Sequence, residues 1–508
     1  MMKLSRIVAL GLFFASTHAV QAAPSGTPRV VTENGALEGT LEASGVRVFR
    51  GVPFAAPPVG ELRWKAPQPV KRWQGVRSAK QFGNRSMQPS LYADMVFRSP
   101  AMSEDCLYLN VWTPAASRKE KLPVLVYFHG GGLAAGDSTE PRYDGENMAR
   151  KGIVAVTVNY RLSVFGFFAH PELTAESPHR VSGNYGLMDQ AAALKWVQKN
   201  IAAFGGDPAQ VTIAGESAGS FSVSAQMIMP SSRGTFARAI GESGSLLGLT
   251  PPPTVAEAEK LGVAFASAAG ADSLKALRAL PPEKLIETVG KPGMPWFGIV
   301  SDGHVLPQAP LQAYSKGQQA RVPLLAGWNA QETGAARVLE GAAPTPENFS
   351  AAIRKLYGDQ APAAQKAYGY GLPQAAIDLA SDRWIVYGTW KWIDLHSRVA
   401  PTFRYLYTRA RPGEPGAGHS AEIEYAMGNL DRNKVFPWTE DDHRTSAAMQ
   451  AYFANFIKTG NPNGEGLPAW PLATADGDNV MRIDAQPQAV RTSDRERFLF
   501  HDRQISAP

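Results

Sequence analysis

The sequence predicts an α/β fold: a central, mostly parallel sheet with helices on both faces. Three observations carry that expectation. Short apolar runs rich in β-branched residues recur at 124–128, 153–158, 211–214 and 322–326, as buried parallel strands require. Between the second and third runs, residues 187–204 follow a helical pattern, with Leu194, Trp196 and Val197 spaced to face a core. Finally, Gly215-Glu216-Ser217-Ala218-Gly219 joins the third run to a small, apolar stretch free of proline until Pro230, a strand-to-helix turn.

The 508 residues carry no internal repeat and no low-complexity linker, and Pro251-Pro-Pro253 reads as a loop. One α/β domain over 23–508 is therefore expected, preceded by a secretory signal peptide over 1–22. That leader has Lys3 and Arg6, an apolar run over 7–15, and Val20-Gln21-Ala22 as small residues for cleavage. Its apolar run is too short to span a bilayer, and no later run reaches that length, so a secreted or periplasmic protein without a membrane span is expected. Net charge is +6, and its cations are scattered among acids without a basic run, which gives nucleic-acid binding no support. A single cysteine, Cys106, leaves no disulfide within the chain and argues against a thiol nucleophile or a cysteine metal site. Neither a metal nor an organic cofactor is expected.

Serine at a strand-to-helix turn sits in a tight bend with its hydroxyl exposed, and flanking glycines leave room for neighbouring backbone. The arrangement suggests a nucleophilic serine at Ser217. The pentapeptide alone favours catalysis but is also readable as a plain turn, and Gly241-Glu242-Ser243-Gly244-Ser245 shows how readily such strings arise. A second piece is His129-Gly130-Gly131-Gly132, directly after the run at 124–128. Attack on an ester carbonyl builds negative charge on its oxygen, which backbone N–H groups stabilise. Gly131 and Gly132, with the N–H of Ala218, are the candidate donors. No Gly-Lys-Ser/Thr follows, so a nucleotide loop is disfavoured, and His129 itself reads as structural.

Together these segments resemble the type-B carboxylesterase family of the α/β-hydrolase fold. The resemblance runs through Phe49-Arg-Gly-Val-Pro-Phe-Ala-Ala-Pro-Pro58, Leu62-Arg-Trp64, Ser103-Glu-Asp-Cys-Leu-Tyr-Leu-Asn110 and Asn159-Tyr-Arg-Leu162. It continues through Asn184-Tyr-Gly-Leu-Met-Asp-Gln190 and Phe204-Gly-Gly-Asp-Pro208. It implies an acid at Glu332 within Gly327-Trp-Asn-Ala-Gln-Glu332, and a base at His419 within Gly418-His419-Ser-Ala-Glu-Ile-Glu-Tyr425. Gln331 and Thr333 depart from the Asp and Gly common there. The chemistry agrees: a serine hydroxyl needs an imidazole to take its proton, and a carboxylate fixes that imidazole. The chain order Ser, acid, His is that of α/β-hydrolases. His304 is the second choice of base; Glu216 reads as a buried hydrogen-bonding residue and Asp189 as a helix cap.

Two departures bear on substrate and stability. Ser86 stands where many members have the cysteine that pairs with the Glu-Asp-Cys segment, so the loop to Cys106 has no covalent tether. That loop also holds no Trp, unlike the cholinesterases, which disfavours a quaternary ammonium substrate. Asn84-Arg-Ser86 and Asn348-Phe-Ser350 read as unmodified surface asparagines. The expected activity is hydrolysis of a small-molecule carboxylic ester through an acyl-enzyme on Ser217. A non-enzymatic adhesion protein on the same fold, a lipase and an amidase are the alternatives. Trp296, Phe297 and Leu246 are equally readable as acyl pocket or core.

Overall fold

A computed structural model describes residues 26–475 and 477–505; the expected signal peptide lies outside them. Eleven strands form the main sheet: β1 (Thr40–Leu41), β2 (Arg47–Pro53), β3 (Tyr108–Thr113), β4 (Leu122–Phe128), β5 (Val154–Val158), β6 (Gly206–Glu216), β7 (Arg238–Glu242), β8 (Leu324–Asn329), β9 (Thr402–Tyr407), β10 (Asn479–Ile483) and β11 (Gln488–Arg491). Their order is β11-β10-β9-β8-β7-β6-β4-β5-β3-β2-β1. β4 to β10 are all parallel to their neighbours within that block, whereas β11, β3, β2 and β1 pair antiparallel. The four sequence runs thus become β4, β5, β6 and β8, and their continuous burial reflects helices on both faces.

Side-chain alternation along β4 shows how both faces are filled. Val124, Val126 and Phe128 join a core that includes Leu194, Trp196 and Val197 of the helix Tyr185–Asn200. Leu125 and Tyr127 point the other way, into a core with Met449, Tyr452 and Phe456 of the helix Glu440–Thr459. A smaller core between β8 and β9 is helical, built on Phe349, Ile353, Leu379 and neighbours, with Phe500 from the C-terminal helix against it.

The order of strands positions the site. From β4 the chain passes to β5 on one side, then crosses to β6 on the other. The C-terminal ends of β4 and β6 therefore face a crevice that no connection fills, the usual ligand position in an open parallel sheet.

One expectation needs correction. Asp189 caps nothing: it lies inside the helix Tyr185–Asn200, where both carboxylate oxygens meet the Arg161 guanidinium at 2.8 Å. Both side chains are buried, so the charge is satisfied by pairing instead of by water. The loop between Ser86 and Cys106 also has a closed base without a disulfide. The Arg85 and Ser103 amides bond across it to Ala101 and Arg85, and the Ser86 hydroxyl donates to the Tyr160 carbonyl at 2.6 Å. Cys106 is buried beside Ser86, and burial pushes its thiol up to about 12.

Candidate active site

Ser217 is the first residue past β6, and its backbone (φ 53°, ψ −120°) turns the chain sharply into the helix Ala218–Gln226. A non-glycine residue holds such a conformation only where its surroundings enforce it, at a cost of about 1–3 kcal/mol. Here the Ser217 amide donates to the Glu242 carbonyl at 2.8 Å, tying the turn to β7. The flanking glycines are sterically required. A Cβ on Gly219 would lie 2.0 Å from the Phe128 carbonyl oxygen, and one on Gly215 would lie 2.6 Å from both that oxygen and the Gly219 carbonyl carbon. The helix thereby sits directly against the end of β4.

Beyond β4, Gly131 and Gly132 adopt positive φ values of 104° and 64°. A Cβ on Gly131 would come within 2.1 Å of the Ala135 carbonyl oxygen, and one on Gly132 within 2.7 Å of the Trp296 ring. Neither N–H finds an acceptor among the described residues. The Ala218 N–H, at the first helical position, has no intrahelical acceptor either. Gly131, Gly132 and Ala218 all line one cavity of about 810 Å³ together with Ser217 and His419.

Glu332 follows β8, and His419 lies on the segment between β9 and the helix Ile423–Met427. The structure joins them: His419 Nδ1 is 2.7 Å from Glu332 Oε2. The other oxygen of Glu332 accepts the Asn329 amide at 2.7 Å and the Ser243 hydroxyl at 2.6 Å. Gln331 and Thr333 do not spoil this turn, because the Gln331 amide bonds to the Ala417 carbonyl at 3.0 Å and keeps the two loops together. No hydrogen bond joins Ser217 to His419; instead Nε2 of His419 lies 3.2 Å from Glu216 Oε1.

Three buried glutamates, Glu216, Glu332 and Glu422, act on this imidazole, and Glu242 lies behind them against Tyr127. Burial raises the Glu216 carboxyl to about 8, with the neighbouring Glu422 adding to the rise and His419 opposing it. Burial likewise raises Glu422 to about 7 and drives Glu242 well above the usual range. For His419, burial favours the neutral ring, but Glu216 and Glu332 outweigh it and lift the imidazole to about 9. Glu422 is held by the Asn329 side chain at 2.6 Å, and Glu242 by the Tyr127 hydroxyl at 3.0 Å.

Several sequence expectations resolve differently. Glu216 is buried as expected, but Oε1 takes no regular hydrogen bond and faces the candidate base. His129 is fully enclosed, stacked on Tyr160 at 4.5 Å, and burial lowers it to about 4, in keeping with a structural role. His304 stacks on His179, away from the cavity. Trp296 lines the cavity and donates to the Gly132 carbonyl at 3.1 Å, whereas Phe297 packs in the core against Phe168 and Phe265, and Leu246 belongs to the same core. Ser243 and Glu422 were missed as site residues. A signal for Ser243 did exist: its string follows β7 as that of Ser217 follows β6, and Glu242 lies in register with Glu216.

No group of three or more His, Cys, Asp or Glu among the described residues is arranged to hold a metal ion. None of their helices is long and apolar enough to cross a membrane. A mostly parallel sheet with a serine turn, a glycine loop and a His–Glu pair at its C-terminal edge is the architecture of an α/β-hydrolase. Comparison with known proteins gives the same class and narrows it. Residues 26–500 match the Carboxylesterase family, and the chain belongs to it. Fumonisin B1 esterase of Sphingopyxis macrogoltabida is 36% identical, covering 92% of this chain and 88% of its own. Para-nitrobenzyl esterase of Bacillus subtilis is 34% identical, covering 90% and 95%. The crystal structure of a Geobacillus stearothermophilus carboxylesterase superposes with a TM-score of 0.82 at 32% identity, covering 92% of this chain and 99% of that one. The protein is a carboxylesterase.

Proposed function

We propose that the enzyme hydrolyses carboxylic esters of small molecules through an acyl-enzyme on Ser217, with His419 as base and Glu332 as its orienting acid. The observation that carries this reading is the 2.7 Å pairing of His419 Nδ1 with Glu332 in the wall of the cavity that Ser217 enters from its strained turn. Glu332 fixes the proton on Nδ1, leaving Nε2 to receive the Ser217 proton. For that, the imidazole exchanges its 3.2 Å contact with Glu216 for the Ser217 hydroxyl, a tightening common when a substrate binds.

Ser217 Oγ then adds to the ester carbonyl carbon while its proton passes to His419 Nε2. The N–H groups of Gly131, Gly132 and Ala218 receive the developing oxyanion. The tetrahedral adduct collapses, the C–O bond to the alcohol breaks, and His419 returns the proton to the departing alkoxide. Water repeats the sequence on the acyl-enzyme and releases the carboxylic acid. The chain is one α/β unit exported by the leader over 1–22, which places the reaction outside the cytoplasm.

The test is turnover of p-nitrophenyl esters from acetate to palmitate by the enzyme and its Ser217→Ala variant. Loss of turnover and of any acyl-enzyme burst in the variant is expected; undiminished turnover refutes the mechanism. The chain-length profile separates esterase from lipase.

A further inference from the structure

Three arginines stand in the wall of the Ser217 cavity, and they differ in how their charge is used. Arg142 is buried and pairs with Glu140 at 2.9 Å and Asp94 at 3.1 Å. Arg411 pairs with Glu424 at 2.6 Å and donates to the Ser420 carbonyl at 2.8 Å. Arg337, exposed on the short helix Ala336–Leu339, meets no carboxylate among the described residues. Its guanidinium lies over the Trp384 ring, 4.9 Å from the centroid, and Trp384 in turn packs against the His419 ring at 4.6 Å.

That stack has a chemical consequence. A cation over an aromatic face is restrained by the ring quadrupole, yet its five N–H donors lie in the guanidinium plane and stay unspent. The indole thus holds a fixed, uncompensated positive group beside the reacting centre. Arg142 and Arg411 each also keep a buried Nε–H without an acceptor. Of the acids on the same wall, Asp94 is engaged by Arg142 and Glu216 faces His419, so Glu414 at the exposed rim is the one competing carboxylate. The remaining surface is largely apolar, with Met95, Leu133, Phe221, Trp296 and Ile385. A planar anion on an apolar stem fits this wall, since a carboxylate accepts two parallel N–H bonds from a guanidinium.

We infer that Arg337 selects esters that carry a free carboxylate remote from the scissile bond, such as half-esters of dicarboxylic acids. The inference rests on the ester-hydrolase reading of the same cavity and names its substrate class. The N–H edge of Arg337 binds the carboxylate, Trp384 supports the guanidinium, and the apolar wall takes the carbon chain between the two ends.

The test compares esters that differ only in charge. On the acyl side, p-nitrophenyl hydrogen glutarate is set against the neutral p-nitrophenyl glutaramate. On the alcohol side, 4-acetoxybenzoate is set against 4-acetoxybenzamide. Each rate is divided by that ester's own alkaline hydrolysis rate. In at least one pair the wild-type enzyme is expected to favour the anion, and added salt should erode that preference. Arg337→Gln should lower the anion-to-neutral ratio of kcat/KM roughly two- to fivefold, chiefly through KM, as befits a rim-exposed charge pair. Arg337→Lys should keep part of the preference, and Glu414→Gln should increase it. A ratio unchanged by Arg337→Gln in both pairs overturns the inference. So does an equal loss on both members, which assigns Arg337 to propping Trp384. Failure of the wild-type enzyme to hydrolyse even the neutral esters would instead refute the ester-hydrolase reading.

Discussion

Glu216 offers the sharpest handle on the chemistry, because its carboxylate lies 3.2 Å from the nitrogen assigned to take the Ser217 proton. Once Glu216 has ionised, above about 8, unit charges at that separation attract by about 1 kcal/mol in water and about 5 kcal/mol at an effective dielectric near 20. Since 1.36 kcal/mol corresponds to one pH unit, Glu216 alone accounts for a rise of about one to four pH units in the imidazole. The whole climb, from 6.5 to about 9, is shared with Glu332 and Glu422 and is opposed by burial. Because burial opposes the rise, the net climb sets no ceiling on Glu216, whose contribution is at least about one pH unit.

The sign follows from the proposed role of His419 as base. Below its raised value the imidazole is charged and cannot accept a proton, so kcat/KM on a neutral ester rises with pH along the acid limb of its profile. Glu216→Gln keeps the shape and removes the charge, so that limb should move at least about one pH unit toward acid. The variant is therefore least impaired at low pH and most impaired at high pH, where the wild-type base is already neutral. The assay is kcat/KM from roughly pH 5 to pH 10, with p-nitrophenol followed at its isosbestic wavelength so that product ionisation does not distort the limb. A limb that stays in place, or moves to higher pH, refutes the electrostatic link between Glu216 and His419.

Other expected outcomes follow from the same geometry. Ser243→Ala removes the hydroxyl that donates to Glu332 at 2.6 Å and should lower kcat about tenfold or more with little change in KM, given the strength of hydrogen bonds to charged groups. Gly132→Ala puts a methyl 2.7 Å from the Trp296 ring and displaces a candidate oxyanion donor; kcat should fall about a hundredfold or more. Asp189→Asn leaves the Arg161 guanidinium buried without its partner charge and should cost about 3–5 kcal/mol, read as a lower midpoint in chemical denaturation. An unchanged midpoint would show that water compensates Arg161.

Much of the fold was legible because burial on both faces leaves a plain mark. β4, β5, β8 and the 211–214 stretch of β6 are short, largely apolar and buried runs, and the helix Tyr185–Asn200 has its own period. The edge strands carried no such mark, since β1, β2 and β11 alternate or are short, and the loops around them dominate the sequence. Asp189 misled because a carboxylate near a helix start usually serves the backbone. Its partner Arg161 lies 28 residues earlier, and only the fold brings the two together. In the candidate site, groups fixed by local backbone, such as the Ser217 turn and the glycine loop, were readable from a few adjacent residues.

What escaped the sequence is the way charge is shared once distant loops converge. Ser243 shares the Gly-Glu-Ser string of Ser217, the same strand-end position and a similar φ of 52° against 53°. Their fates separate one strand further along. The hydroxyl of Ser243 faces Glu332 and Glu422 behind the imidazole and is consumed as a donor, at 2.6 Å and 3.3 Å. That of Ser217 faces the cavity and has no partner among the described residues. Two equivalent turns on adjacent strands thus supply a free hydroxyl and a committed one. The committed one donates to Glu332, one of three buried glutamates acting on the imidazole and the one that holds it at Nδ1. Neither the nucleophile nor its acid can be assigned from its own pentapeptide, since each role is defined by what stands one strand away.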